Sequence, residues 1–354
     1  MDSLSQFALG AAIGVAVMHR RTRPWKAVLI GGLAATLPDL DAFYDHGDPV
    51  SNVTLHRANS HALFWLTLAS PLVAFVAVLA ARERDNFMRW WLAVWLALVT
   101  HPILDWFTVY GTQILRPFTD FPYAIGSIFI IDPLYTLPLL VGIAAALILR
   151  DTRGFRWNLA GLVVSTLYIG WSVFAQAQVK AIAEASLRAE GRTVERLLVT
   201  PTPFNTVLWR VVAVTPDGYL EGFRSLFDRG KRIAFDVYPR GDALYEAVRD
   251  YPAVARVAWF TQGLFKLSER DGKIIVSDLR MGQEPYYSFN FVVGQRQSPI
   301  VAAVPPIRFR EQHDVRSGLS WLWRRMRDED TPPPKQRSSN AATSSRMPPC
   351  SLPA

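Results

Sequence analysis

Apolar residues run in long unbroken stretches through the first half of the chain and in short alternating ones through the second. Residues 61–81, 90–107, 133–149 and 157–179 approach or exceed the roughly 20 residues a helix needs to cross a hydrocarbon core. Stretches 4–18 and 27–37 are shorter, and predict either two short crossings or a shallow hairpin. An α-helical membrane domain of about six apolar helices is therefore expected over residues 1–180.

Past residue 180 the pattern changes to strand-like runs punctuated by turns. "NTVLWRVVAVTPDGYLEGFRSLF" reads as two strands joined at Pro-Asp-Gly, and "GLFKLSERDGKIIVSDLRM" repeats the hairpin around Asp-Gly. "YSFNFVVG" adds a strand, while "DALYEAVRDYPAVARVAWFT" reads as helical with an interrupting proline. Residues 181–315 are thus expected to form a small α+β domain, an antiparallel sheet with a helix, outside the membrane. "SGLSWLWRRMRDED" predicts a short amphipathic helix at an interface. "TPPPKQRSSNAATSSRMPPCSLPA" is too polar and proline-rich to fold, so residues 316–354 are expected to be an amphipathic segment and a disordered tail.

Charge refines this organisation. The net charge of +8 rests on 38 basic residues, yet these cluster between apolar runs and in the tail. That distribution fits membrane topology, and no nucleic-acid partner is expected. Arg20, Arg21, Arg23 and Lys26 follow the first run; Arg82, Arg84 and Arg89 follow the third; Arg150, Arg153 and Arg156 follow the fifth. If six helices cross, these loops share one side, the cytoplasm by the positive-inside rule. Loops 38–60 and 108–132 and everything after residue 180 then face outward. The start lacks a basic n-region and carries Asp2, so a cleavable signal peptide is not expected. Cys350 is the only cysteine, which excludes an internal disulfide and a cysteine metal site.

The ionisable residues concentrate on the outward level. "LPDLD" closes the second run, "HRANSH" opens the third and "THPILDWF" closes the fourth. Together they bring Asp39, Asp41, His56, His61, His101 and Asp105 to one depth of the bilayer, where each is costly to desolvate unless it is neutralised. Imidazole and carboxylate mixtures suit zinc and other first-row divalent metals, which activate water. His101 and Asp105, four apart, share a helix face, with Pro102 between them either kinking the helix or starting its final turn. In an extended segment Asp39 and Asp41 would point the same way, one binding metal and the other orienting a histidine. The plainer readings are hydrogen-bonded interfacial histidines and aspartate helix caps, and a third is an ion or proton relay. His46 and Asp48 are weaker candidates, and His19 and His313 fall outside the cluster. Arg116 either meets a phosphate or carboxylate substrate or anchors the chain at headgroup level beside Trp106 and Tyr110. Asp132, before Pro133, reads as a helix cap, with a metal-ligating or ligand-supporting role on the outer face as the alternative.

"MDSLSQFALGAAIG", "LPDLD", "HRANSHALF", "THPILDWFTVYGTQILRPF" and "IDPLYTLPLL", in this order, resemble the inner-membrane-associated metal-dependent hydrolases. That bacterial family is related to the LexA-binding membrane protein of the SOS response. "PTPFNTVLWRV", "GYLEGFRSLFD" and "DLRMG" are similar to the C-terminal region of its longer members. The Asp/His pattern is also similar to that of zinc-dependent bacterial phospholipases C. The resemblance implies a multi-pass protein of the bacterial inner (cytoplasmic) membrane with a metal-binding hydrolase site. It carries over Asp39, Asp41, His56, His61, His101 and Asp105 as ligands. Ala58 stands where family members read glycine, and Ala62 where they read a second serine.

The function expected is a membrane-embedded hydrolase holding a divalent metal, zinc foremost, and cleaving an ester or phosphoester. Asp39, Asp41 and Arg57 are the candidate catalytic residues, and membrane lipid or a lipid-like molecule is the expected substrate class. Two alternatives from other classes stand beside it. One is a non-catalytic membrane adaptor that binds a protein partner through its C-terminal domain; the other is an ion or proton conductor using the same His/Asp groups.

Overall fold

Capping residues set the helix boundaries in the first half. Asp2 accepts the N–H groups of Leu4 and Ser5 to start α1 (Ser3–Met18), and a proline in the first turn starts α2 (Pro24–Thr36). Asp48 caps α3 (Pro49–Leu55), a short helix between spans. α4 (Leu63–Ala81) ends on left-handed Arg82, and α5 (Phe87–Trp106) runs through Pro102 to its last turn. Asp132 caps α6 (Pro133–Leu149) and Asp151 caps α7 (Thr152–Ala189). In this computed structural model residues 1–297, 300–309 and 315–333 are described.

Three segments, Leu63–Ala81, Arg84–Trp106 and Thr152–Ala189, are long and apolar enough to cross a membrane. α1 and α6 are shorter apolar helices, and α2, with 13 residues, is shorter still. The expectation of about six full crossings is thus met clearly by three helices, because 13 to 17 residues rise only about 20–26 Å. The outward faces remain apolar: Leu68, Leu72, Leu137, Ile148 and Leu167 are all exposed. A helix bundle that is apolar on its outer surface as well as its inner one is matched to lipid.

Small residues let the first two helices touch. A Cβ on Gly10 would stand 2.3 Å from both the Gly31 carbonyl oxygen and the Ala35 Cβ, and one on Gly14 would stand 2.3 Å from the Ala27 carbonyl oxygen. The helix ends sort into two levels. At one, the Arg20 guanidinium donates to Thr152 Oγ1 (3.0 Å) and Lys26 Nζ donates to the Ala81 carbonyl (2.7 Å) and to Glu83 (2.9 Å). At the other, the Asp2 amide donates to the Ile130 carbonyl and the Leu63 amide to that of Ile114, each at 3.0 Å.

The change in sequence pattern near residue 180 falls inside α7, which runs on to Ala189 and carries the chain out of the apolar region. Beyond it lie two four-stranded antiparallel sheets, where the sequence pattern predicts one. The first pairs β1 (Arg196–Pro201), β2 (Leu208–Thr215), β3 (Gly218–Ser225) and β4 (Phe235–Tyr238) in that order. Helices α8 (Asp242–Val248) and α9 (Pro252–Phe260) follow, split by the anticipated proline. The second sheet has the order β10-β9-β6-β5, from β5 (Phe265–Arg270), β6 (Lys273–Asp278), β9 (Asn290–Gln297) and β10 (Ile300–Phe309). A small ribbon of β7 (Gly282–Gln283) and β8 (Tyr286–Tyr287) lies between β6 and β9 in the chain.

Every residue of β2 and β3 is buried, so these strands carry no solvent face. Ala175, Val179 and Ala183 of α7 pack on Val199, Trp209 and Val211, while Val212, Val214 and Tyr219 meet Leu264, Leu279 and Tyr287 beyond the sheet. α10 (Val315–Arg325) forms where a short amphipathic helix is expected. Trp321 and Leu322 pack on Leu208 and Phe223 and Arg325 pairs with Asp228 at 2.9 Å, while Leu319 and Trp323 remain exposed. The expected disordered tail beyond residue 333 lies outside the described residues.

The C-terminal domain docks on the acidic, histidine-bearing level of the bundle. Arg256 of α9 donates through Nε to Thr54 Oγ1 of α3 (2.9 Å), and Gln262 donates to the Pro122 carbonyl (3.0 Å). The Tyr110 ring meets Phe260 and Phe289 edge-on at 5.6 and 5.7 Å.

Candidate metal centre

Four of the six ligands expected from sequence converge. Asp39, from the 3-10 turn Pro38–Phe43, joins His61, from the 3-10 turn Asn59–His61, and His101 and Asp105 of α5; their donor atoms lie within 4.8 Å of one another. His61, His101 and Asp105 are fully buried, and Asp39 alone reaches solvent, with 18% of its side chain exposed. His61 Nε2 is 3.0 Å from His101 Nε2. Asp39 Oδ1 lies 3.5 Å from His61 Nε2 and 3.4 Å from His101 Nε2, and Asp105 Oδ2 lies 3.4 Å from each.

Those spacings fit a divalent cation. Donors about 2.0–2.1 Å from a tetrahedral zinc stand about 3.3–3.4 Å apart, the edge of the tetrahedron. The proton inventory agrees. His101 Nδ1 lies 2.6 Å from the Ala35 carbonyl oxygen, which only accepts, so Nδ1 bears the hydrogen and Nε2 a lone pair. Ser60 Oγ gives its single proton to Asp41 Oδ2 (2.5 Å), so His61 Nδ1, 2.9 Å from the same hydroxyl, is the donor between them. With the ring neutral, His61 Nε2 also presents a lone pair. Asp105 Oδ2 is buried without a hydrogen-bond partner; Arg57 Nε stands 3.3 Å away without alignment. With both rings neutral, two imidazole nitrogens and two carboxylate oxygens face one point. Burial disfavours an imidazolium at His61, but Asp105, Asp39 and Asp41 outweigh it and raise its pKa to about 9, so a cation bound here displaces a proton from the ring. A proton answers one or two acceptors, whereas a metal ion answers all four.

Asp41 and His56 are not brought into this set. The extended segment assumed for "PDLDAF" is a 3-10 turn, where residues two apart stand about 120° from each other around the axis. Asp39 thus faces His101 while Asp41 faces the other way. Asp41 accepts from His56 Nδ1 (2.8 Å), the Arg57 amide (3.0 Å) and Ser60, and lies 3.5 Å from His61 Nδ1. Burial works against its ionisation, but the His56 and His61 hydrogen bonds prevail and hold its carboxyl well below the usual range. Asp41 is placed to orient His61, and His56 to orient Asp41. Replacing Asp41 with alanine should weaken metal binding about 10–100-fold while leaving the four donors in place, measured by competition with a chelating dye; unchanged affinity would remove it from this role.

Arg57 is buried beside Asp105, its Nε 3.3 Å from the same Oδ2 that faces the two imidazoles. Its guanidinium donates to Thr108 Oγ1 (3.2 Å) and lies 4.9 Å over the Tyr110 ring. Arg57 takes a left-handed φ of 63°, held by its amide on Asp41 and by its carbonyl accepting from the Gln113 amide (3.0 Å). The Met1 amino group and Gln6 Nε2 (3.2 Å) both contact Asp105 Oδ1, and Gln6 also donates to the His101 carbonyl at 3.1 Å. Gln6 and Ser60 were not singled out from sequence. A glutamine within an apolar stretch was a usable signal for the first; nothing distinguished the serine. His46 and Asp48 stay in the loop, where Asp48 caps α3 and the His46 amide bonds Asn52 at 2.6 Å. Asp132 caps α6 and accepts from Tyr168 Oη at 2.9 Å.

Apolar helices that enclose a histidine and carboxylate cluster, open to solvent through one acid, define a class of membrane proteins with a buried candidate metal centre. The chain belongs to the YdjM inner membrane protein family, which matches residues 1–179 and therefore covers all four donors. It is also similar to the uncharacterized protein YfhP of Bacillus subtilis (strain 168), 25% identical over 236 residues, 63% of this chain and 67% of that protein. No solved structure matches.

Proposed function

We propose that this protein is a membrane-embedded hydrolase that holds a divalent cation, zinc by its donor set, between Asp39, His61, His101 and Asp105, and that it cleaves an ester or phosphoester. The observation carrying this reading is the pair of imidazole Nε2 atoms 3.0 Å apart between two carboxylates, each ring fixed by a hydrogen bond at Nδ1. Two imidazoles and two carboxylates at tetrahedral spacing suit zinc better than the oxygen-only sets of magnesium or calcium. When bound, the cation supplies Lewis acidity and activates water.

The residues divide the work by burial. His61, His101 and Asp105 have no contact with solvent and serve as the fixed cradle. Asp39, at the opening, can both complete the cradle and take the proton that hydrolysis releases. Gln6 and the Met1 amino group hold Asp105 from its other oxygen, Oδ1, and Arg57 places positive charge 3.3 Å from Oδ2. The arrangement of basic residues supports six crossings with the Arg20, Arg82 and Arg150 end in the cytoplasm. The metal centre and C-terminal domain would then face outward.

The test pairs metal analysis with hydrolysis of nitrophenyl esters and phosphodiesters by detergent-purified protein. Asp39→Asn should lose hydrolysis about 10²–10⁴-fold per bound metal ion, with the metal content of each sample measured alongside the rate. A metal-loaded wild type that hydrolyses nothing in the panel, or an Asp39→Asn variant with undiminished rate, would sink the proposal.

A further inference from the structure

A groove of about 540 Å³ opens on the outer face of the first turns of α4. Its walls include Leu63, Phe64, Leu68, Ile114, Leu115 and Phe118, and a single charged side chain, Arg116, stands among them. The size falls within the roughly 300–1,000 Å³ of small-molecule sites. α4 is one of the segments long and apolar enough to cross a membrane, and its Leu68 is 64% exposed, so the groove faces lipid tails rather than water. It begins two residues after His61, since Leu63 starts α4 and its amide donates to the Ile114 carbonyl at 3.0 Å.

The charge at that end is only partly matched. Arg116 donates to Asn59 Oδ1 (3.2 Å), a neutral partner in the same 3-10 turn as His61. Arg256 reaches this level from the C-terminal domain, with Nε on Thr54 Oγ1 and its guanidinium 4.3 Å over the Trp259 ring. Arg116 and Asp120 are the charged neighbours that act on Arg256, so two guanidiniums face one exposed carboxylate. Neither arginine forms an ion pair with a described residue. An apolar slot in the bilayer with Arg116 in its wall, Arg256 within electrostatic reach of Arg116 and a histidine of the metal cluster two residues before its start has the polarity of a phosphate-bearing lipid.

We infer that the α4 groove and the Arg116–Arg256 pair form a subsite for a membrane phospholipid. One acyl chain lies along Leu63–Phe64–Leu68, the phosphate meets the two guanidiniums, and the ester region is presented beside the turn that carries His61. That this lipid is the substrate rests on the hydrolase reading; that it binds does not.

The experiment uses full-length protein in phosphatidylcholine nanodiscs carrying a trace of phosphatidylglycerol with a photoreactive acyl chain. A diacylglycerol with the same chain is the uncharged control. Cross-links to phosphatidylglycerol should concentrate in residues 63–71 and 114–118. Leu68→Trp, which fills the groove at a lipid-facing position, should reduce both probes' cross-links there. Arg116→Gln with Arg256→Gln should weaken the phospholipid signal about 25-fold, about fivefold per guanidinium, and leave diacylglycerol unchanged. Metal content, measured on the same samples, should not move, which separates loss of the subsite from misfolding. Cross-links spread evenly over α4, α6 and α7, or indifferent to these substitutions, overturn the subsite. His101→Ala should retain the cross-link pattern. If it does, while wild type releases no product from any lipid, the subsite stands and the hydrolase reading falls.

Discussion

Replacing His101 by alanine is expected to remove bound divalent metal from the purified protein, measured by elemental analysis against wild type. The imidazole contributes one of the four donors found together among the described residues, and its Nδ1 bond to the Ala35 carbonyl fixes its Nε2 on the site. The loss should exceed the roughly 10–100-fold expected from removing an orienting group such as Asp41. Thermal stability supplies a second readout. A ligand present at about 100 times its Kd stabilises the folded state by about 2.7 kcal/mol, so chelation should lower the wild-type Tm by several degrees. The alanine variant should start at the lower Tm and ignore the chelator. Equal metal in both proteins, or a wild-type Tm indifferent to chelation, would leave the cluster as a hydrogen-bonded knot and nothing more.

The convergence of the donors was legible because it depends on helix ends, and apolar runs mark helix ends well. His101 and Asp105 share a face by their spacing of four, and the run boundaries at "LPDLD" and "HRANSH" bring Asp39 and His61 to the same depth. What the sequence did not reveal was local winding. Nothing in "LPDLDAF" separates an extended segment from a 3-10 turn, and that choice alone decides that Asp39 joins the set and Asp41 backs it. Backbone partners were equally invisible. The Ala35 carbonyl fixes the tautomer of His101, yet any residue at position 35 offers a carbonyl. In the second half, turn chemistry located the hairpins, since Pro216-Asp217-Gly218 and Asp271-Gly272 have a restricted menu of conformations. The division into two sheets was hidden because β2 and β3 are buried on both faces and lack the alternation that marks an exposed side.

A substitution remote from the cluster should test how the bundle builds it. Gly10→Leu is expected to lower the unfolding free energy by roughly 3–5 kcal/mol, the range of changes that force backbone apart. A Cβ there meets the Gly31 carbonyl oxygen and the Ala35 Cβ at 2.3 Å, and the carbonyl belongs to backbone that no rotamer change relieves. α2 must then retreat from α1. Ala35 sits in the last turn of α2, where its carbonyl holds His101, and Asp39 follows three residues after that helix ends. Displacing α2 therefore withdraws one donor and frees the ring of another, and metal content should fall together with the Tm even though Gly10 is not a ligand. Gly170→Leu is the matched control, since a Cβ there meets nothing within 4 Å, and it should preserve both. If Gly10→Leu keeps its metal and its melting temperature, close packing of α1 on α2 is not what positions Asp39 and His101.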